Sequence, residues 1–111
     1  MSKPPRSDNP LLSEIVRRLL GAYRPDRIYL FGSVARGDAG PDSDYDLMVI
    51  LPDDAPANLR SEDPGYRALR GTGVAADVLV RTRSDFDRQL HLKASLPSTV
   101  VREGTLLYGA A

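Results

Sequence analysis

The feature that most constrains the fold is the segment Tyr45 to Leu51, in which an acidic residue is followed by an unbroken apolar run. A strand with one solvent-facing side alternates apolar and polar residues, whereas Leu47 to Leu51 is apolar at every position. Such a run is typical of a strand inside a sheet that helices cover on both faces. The segment therefore predicts the interior of a sheet in an α/β domain.

The rest of the chain supplies further strands and the covering helices. Asn9 and Pro10 are typical of a helix start, and apolar residues then recur at helical spacing toward Gly21, near which we expect the helix to end. We predict strands at Arg27–Phe31, Val74–Val80 and Leu106–Tyr108, and a short helix at Tyr66–Arg70. We expect Ser84 to cap a further helix that contains Phe86 and Leu90 and that Pro97 interrupts. A last helical turn follows at Ser98–Glu103.

Together these elements predict a small mixed sheet of three to four strands flanked by helices, in an α/β (α+β) domain. The 111 residues fit one domain, which we place at residues 9–111 after a flexible N-terminal tail at residues 1–8. Proline and acidic residues between Pro52 and Gly65 predict a long, mobile surface connection before the third strand.

Charge and residue usage exclude several classes of function. The 15 basic and 15 acidic residues balance, so the chain lacks the positive field of a general nucleic-acid-binding protein. It has no cysteine, which excludes disulfides and thiolate metal sites and agrees with the cytoplasm. Its longest apolar run is far shorter than the ~20 residues that cross a bilayer, so we expect no membrane association.

Two carboxylates stand where the apolar strand begins. Because strand side chains alternate faces, Asp44 and Asp46 point to the same side, about 6.5 to 7 Å apart along the backbone. A hard divalent cation such as Mg²⁺ relieves the repulsion of such a pair, and it commonly completes its shell with substrate phosphates. Asp77 reaches the same ions if its strand lies beside that of Asp44 and Asp46; otherwise it marks the protein surface.

The segment upstream of the acids offers contacts for phosphate. Gly32 lets the backbone approach a ligand closely, and Ser33 presents a hydroxyl and an amide at the start of a helical turn. Arg36 either adds a positive charge for phosphate or is a solvated helix residue. Ser43 either caps the turn before Asp44 or contacts a phosphate. Three acids around two Mg²⁺ ions, beside a phosphate cradle, suit in-line displacement at phosphorus.

The segment GSVARG followed by SDYDLMV resembles the signature of the minimal nucleotidyltransferases of the polymerase-beta-type superfamily. The preceding helix, the later aspartate strand and the closing REGTLLYG resemble that family too, so the likeness runs from about Leu11 to Tyr108. It implies a polymerase-beta-like fold and ATP as the nucleotide donor. It also implies Gly32 and Ser33 at the nucleotide phosphates, Asp44 and Asp46 as metal ligands, and Asp77 as the third carboxylate.

The resemblance also implies a partner. Small members of the family act as antitoxins beside a HEPN-type toxin and attach AMP from ATP to a tyrosine of that protein. The resemblance also implies that the two proteins form a hetero-oligomer. Two alternatives stay open: a binding module that neutralises its partner by contact alone, and a nucleotidyltransferase that acts on a small molecule or a nucleic acid end. We expect no additional domain to hold such an acceptor, which favours an acceptor that brings its own binding surface.

Overall fold

Four strands form one mixed sheet in the computed structural model, which describes residues 9–38, 40 and 44–109. The expected mixed α/β architecture is confirmed, whereas the proposed tail at residues 1–8 lies outside the described residues. No helix in the described ranges is long and apolar enough to cross a bilayer. The elements are α1 (Pro10–Tyr23), β1 (Arg27–Phe31), α2 (Gly32–Arg36), β2 (Tyr45–Leu51), a 3₁₀ turn (Ala57–Leu59), α3 (Asp63–Ala68), β3 (Ala76–Thr82), α4 (Arg83–Arg88), α5 (Leu96–Glu103) and β4 (Thr105–Tyr108).

The strands lie in the order β3-β2-β1-β4, so the apolar β2 is interior as its sequence predicts. β2 runs antiparallel to β1 and parallel to β3, and β4 is antiparallel to β1. The carboxyl end of β1 therefore lies at the same end of the sheet as the amino ends of β2 and β3. Asp46, Asp77 and the glycine-serine step all lie at this end.

Each face of the sheet packs on its own apolar cluster. On one face, α1 buries Leu12, Ile15 and Leu19 against alternate residues of the strands, including Leu47 and Val49. On the other face, α4 and α5 contribute Phe86 and Val100 to a smaller cluster with Tyr29, Met48 and Ile50. The rings of Tyr29 and Phe86 stack with centroids 5.6 Å apart. Covering on both faces explains why β2 has no polar residue after Asp46.

Helix α1 begins as expected but ends later. The side chain of Asn9 accepts hydrogen bonds from the amides of Leu11 and Leu12, at 3.0 and 3.2 Å. We expect the end near Gly21, and the helix continues two residues further, to Tyr23, whose buried ring joins the core. Arg24 then takes the left-handed conformation (φ 51°) that closes the helix ahead of Pro25.

The connection from β2 to β3 is tied to the rest of the fold by hydrogen bonds. The hydroxyl of Tyr23 donates to Ser61 O and accepts from the Gly65 amide, both at 2.8 Å. Arg18 donates from α1 to the carbonyls of Ala68 and Arg70. The connection contains α3 at Asp63–Ala68, a few residues before the short helix expected at Tyr66–Arg70. Anchoring side chains from α1 are a tertiary feature that local composition does not reveal.

Boundaries in the last third of the chain also shift. β3 begins at Ala76 rather than Val74, because it pairs with β2 from Tyr45 onward. Thr82, not Ser84, caps α4 by accepting from the Asp85 amide, and Ser84 instead donates to Asp53. Leu90 lies beyond the end of α4. The last helix starts earlier than Ser98, with Ser95 as its cap, so Pro97 lies in its first turn instead of separating two helices.

Candidate active site

Asp46 and Asp77 are register partners on the parallel strands β2 and β3. Both point to the face of the second apolar cluster, because their neighbours Leu47 and Val78 are buried in the first. Neighbouring strands are about 4.8 Å apart, so the two carboxylates lie close together at this end of the sheet. The condition set for Asp77, a strand beside that of Asp44 and Asp46, is met.

Asp44 lies just before β2 and is exposed, as is Asp77, whereas Asp46 is partly buried. The start of the strand is fixed by a 3.0 Å hydrogen bond from the Tyr45 amide to Ala75 O. That bond links the two acidic segments, because Ala75 is two residues before Asp77. The backbone thus holds the segments of all three acids together.

The charges of these acids act on one another. Burial raises the pKa of the Asp46 carboxyl above its usual value, and the negative charges of Asp77 and then Asp44 raise it further. The positive charge of Arg36 acts in the opposite direction and lowers the pKa of Asp46. Asp46 is therefore the centre of a negative cluster with one cation nearby.

The glycine at the end of β1 makes room for that central acid. Phe31 pairs with Asp46 across β1 and β2, and Gly32 follows with φ +76°. A Cβ atom on Gly32 would lie 3.1 Å from Asp46 Cγ and would overlap Asp46 Oδ2. Gly32 is thus required both for its left-handed backbone and for the space that the carboxylate occupies.

Ser33 and Arg36 lie on the short helix α2 that follows. Ser33 is partly buried and its hydroxyl has no hydrogen-bond partner among the described residues, which leaves it available to a ligand. Arg36 Nε donates to Asp38 Oδ2 at 3.2 Å, and Arg36 Nη1 is 3.8 Å from Glu103 Oε1 on α5. Sequence reasoning missed both carboxylate partners, and no local pattern places Glu103 beside Arg36.

Ser43 lies outside the described residues, so its proposed contact with phosphate stays a prediction. Within the described ranges, no three Asp, Glu or His side chains already converge as the ligands of a metal ion. The chemistry of the donor set nevertheless fits Mg²⁺. Two carboxylates stand side by side on neighbouring strands, a third acts electrostatically on Asp46, and Mg²⁺ prefers carboxylate oxygen.

The site has two chemically different sides. On the β1 side of Asp46 lie the glycine-serine step and Arg36, which suit an anion. On the β3 side lies Asp77, an exposed carboxylate that can accept a proton from a hydroxyl. A phosphate ester placed across Asp46 would have its charged oxygens toward β1 and an attacking hydroxyl toward β3.

Comparison with known proteins gives this arrangement a family. Residues 11–105 match the family described as nucleotidyltransferase domain. A Methanocaldococcus jannaschii protein that carries the name protein adenylyltransferase is 30% identical over 99 residues, which are 87% of this chain and 94% of that protein.

Solved structures agree on the fold. A nucleotidyltransferase structure from Sulfolobus solfataricus superposes with a TM-score of 0.59 at 24% identity, over 89% of this chain and 78% of that one. A toxin-antitoxin structure with AMP-PNP gives a TM-score of 0.61 at 25% identity, over 88% of this chain and 73% of that one. The toxin-antitoxin MntA-HpeT gives 0.56 at 22% identity, over 86% and 71%. With most of its length matched, the chain belongs to the nucleotidyltransferase domain family.

Proposed function

We propose that this nucleotidyltransferase is a Mg²⁺-dependent protein adenylyltransferase that transfers AMP from ATP to a tyrosine hydroxyl of a HEPN-type toxin and thereby acts as its antitoxin. Three comparisons support the proposal. The relative from Methanocaldococcus jannaschii is named as a protein adenylyltransferase. Two similar structures are toxin-antitoxin assemblies, one of them with AMP-PNP, an analogue of ATP. The tyrosine acceptor and the HEPN class follow from the motif resemblance described above.

The observation that carries the proposal is the register pairing of Asp46 with Asp77, beside the Gly32 that accommodates the Asp46 carboxylate. In this proposal the phosphates bind on the β1 side of Asp46 and the proton acceptor lies on its β3 side, each about one strand spacing away. In-line transfer needs the leaving and attacking groups on opposite sides of the phosphorus atom. The strand order β3-β2-β1 is compatible with that requirement.

The reaction balances with the residues present. The acceptor hydroxyl oxygen forms a bond to the α-phosphorus of ATP, the bond to the β-phosphate oxygen breaks, and pyrophosphate leaves. In this proposal Asp77 takes the hydroxyl proton, while Ser33 and Arg36 orient the phosphates. Asp44, Asp46 and Asp77 would hold two Mg²⁺ ions, which when bound neutralise the carboxylates and the charge on the phosphate oxygens.

The test uses the purified chain with the product of the adjacent gene, Mg²⁺ and ATP labelled in either the α- or the γ-phosphate. We expect the α-label alone to appear on the partner protein, because AMP and not the terminal phosphate is transferred. The variants Asp46→Asn and Asp77→Asn should transfer no label, and neither should the native protein with excess EDTA. Asp54→Asn, an exposed acid in the loop after β2, is the matched control and should retain activity.

Three results would contradict the proposal. Transfer of the γ-label would indicate a kinase. Full neutralisation of the partner by a double variant Asp44→Ala, Asp46→Ala that transfers nothing would favour the contact-only antitoxin. Label on a small molecule or on a nucleic acid end, with none on the protein, would identify the third class of acceptor.

A further inference from the structure

A pocket of about 290 Å³ opens at the outer edge of the sheet, away from the residues assigned to nucleotide and metal. It is lined by Arg81 from β3 and by Asp85, Arg88 and Gln89 from α4 and its end. Two of its four lining side chains are guanidinium groups, and the proposed reaction uses neither of them.

The pocket lies on the same face of β3 as Asp77. Val78 and Val80 are buried in the first apolar cluster, and Leu79 packs on the second. Alternation therefore places Asp77 and Arg81 on the same side of the strand. Four residues separate them along a regularly paired strand, which is about 13 Å.

The strand order places this pocket on the acceptor side of the site. Gly32, Ser33 and Arg36 follow β1, on one side of Asp46, while Arg81 lies on β3, on the other side. A nucleotide whose phosphates lie near Gly32 therefore approaches from the opposite direction. A protein that presents its hydroxyl to Asp77 can place another part of its surface at Arg81, because both residues belong to the outermost strand β3.

The charges in the pocket fit a single carboxylate. Arg88 forms an ion pair with Asp85, three residues earlier on α4, and this pair cancels one of the two positive charges. Arg81 Nη1 donates to the carbonyl of Val80 at 2.9 Å, and its guanidinium has no ion pair within the described residues. One uncancelled guanidinium with a nearby amide suits a carboxylate, whereas a triphosphate carries too much charge for it.

We infer that the Arg81–Arg88 pocket is a docking site for an Asp or Glu side chain of the acceptor protein, and that it positions the acceptor hydroxyl at Asp77. The inference rests on the proposed function, because it takes the acceptor to be a protein. It adds a specificity-determining contact about 13 Å along the strand from Asp77, the proposed proton acceptor.

The variants Arg81→Gln and Arg88→Gln, alone and together, test it with the adjacent gene's product as acceptor. We expect the double variant to raise the KM for that protein about tenfold, the effect of losing a charge-assisted contact, and to leave the KM for ATP unchanged. The KM of the native chain for the acceptor should also rise more steeply with salt than that of the double variant. Arg83→Gln is the matched control, since Arg83 is on the same helix but faces Asp26 and Asp87.

A mutant cycle identifies the partner group. Each exposed Asp or Glu of the acceptor protein is changed to Asn or Gln, and one of these changes should match the loss caused by Arg81→Gln. Combined with Arg81→Gln, that change should cause little additional loss, because the contact is already gone. Additive losses at every position would overturn the inference.

Three results separate this inference from the proposed function. An unchanged KM for the acceptor in the double variant overturns the docking site while transfer itself continues. A raised KM for ATP overturns it too, and assigns the pocket to nucleotide. If the native chain transfers no label, the dissociation constant for the partner decides: weakening by the double variant supports docking although adenylylation fails, and equal affinity overturns docking as well.

Discussion

Gly32 and Asp46 occupy adjoining space that cannot hold one more carbon atom. A Cβ on Gly32 would lie 3.4 Å from Asp46 Cβ, 3.1 Å from its Cγ, and closer still to Oδ2. The close approach follows from the antiparallel pairing of Phe31 with Asp46, which places the end of β1 directly beside the start of β2. The position of the Asp46 carboxylate therefore depends on the absence of a side chain at Gly32.

Gly32→Ala should abolish most of the transferase activity. The added methyl group displaces the Asp46 carboxylate, and a misplacement of about 1 Å in a catalytic geometry costs on the order of 100-fold in rate. Gly37→Ala is the control: Gly37 has a similar φ of +81°, but a Cβ there has no heavy atom within 4 Å. Steady-state rates and melting temperatures of both variants separate the collision from backbone strain, and equal rate losses would refute the steric explanation.

Arg36→Gln should raise the KM for ATP at least about tenfold, because a charge-assisted contact to phosphate is worth roughly 1.5–3 kcal/mol. Its effect on the free energy of unfolding should stay below about 1 kcal/mol, since its pairs with Asp38 and Glu103 are exposed. Glu103→Gln removes one of those pairs without removing the cation. If Arg36 is only a solvated helix residue, both variants will bind ATP as the native protein does.

The sheet and the acids were predictable from the sequence because their signals are local. An apolar run of five residues specifies burial on both faces, and strand alternation relates Asp44 to Asp46. Asp77 needed one further assumption, the adjacency of β2 and β3, which the register confirms. The roles of these acids toward metal stay predictions.

The remaining features depend on contacts between distant parts of the chain. Tyr23 reads as one more apolar position of a helix, yet its hydroxyl bonds to Ser61 and Gly65, about 40 residues later. Glu103 gives no sign in the sequence that it lies near Arg36. Ser84 has the residue type of a helix cap, but Asp53 engages it and Thr82 takes the cap position. Local propensity cannot rank such alternatives.

Tyr23→Phe should lower the free energy of unfolding by about 1–3 kcal/mol, because it leaves the buried Gly65 amide without its acceptor. For a domain of this size each kcal/mol corresponds to a fall in melting temperature of roughly 4–8 °C. Tyr108→Phe, at an exposed tyrosine, is the matched control. Urea unfolding of the three proteins gives the comparison, and equal midpoints for both variants would contradict the anchoring role of the Tyr23 hydroxyl.

The same hydroxyl predicts a loss of stability at alkaline pH. Burial raises the pKa of Tyr23 to about 12, and the Gly65 amide only partly opposes this. The unfolded chain loses this proton near pH 10, whereas the folded chain keeps it until about pH 12, so folding binds more protons between those values. The contribution is complete below pH 10 and disappears as pH rises through 12. Between pH 10 and 12 the melting temperature of Tyr23→Phe should fall less steeply with pH than that of the native protein. Parallel falls would contradict the contribution of the Tyr23 hydroxyl.

Two glycine-to-alanine changes should alter stability in opposite directions. Gly104 has φ −91°, which any residue adopts, but a Cβ there would lie 2.5 Å from Val100 O and 2.6 Å from Leu30 O. Gly104→Ala must therefore push α5 away from the end of β1, at an overpacking cost of about 1–3 kcal/mol. Gly21 lies inside α1 with open space at its Cβ position, so Gly21→Ala should stabilise the chain by up to about 1 kcal/mol.

Because Phe31 also borders the Gly104 position, Gly104→Ala should reduce transferase activity as well, by shifting the backbone that leads into Gly32. Chemical unfolding and steady-state rates measured on both variants provide the check, and a Gly104→Ala protein as stable as the native one would show that α5 is free to move.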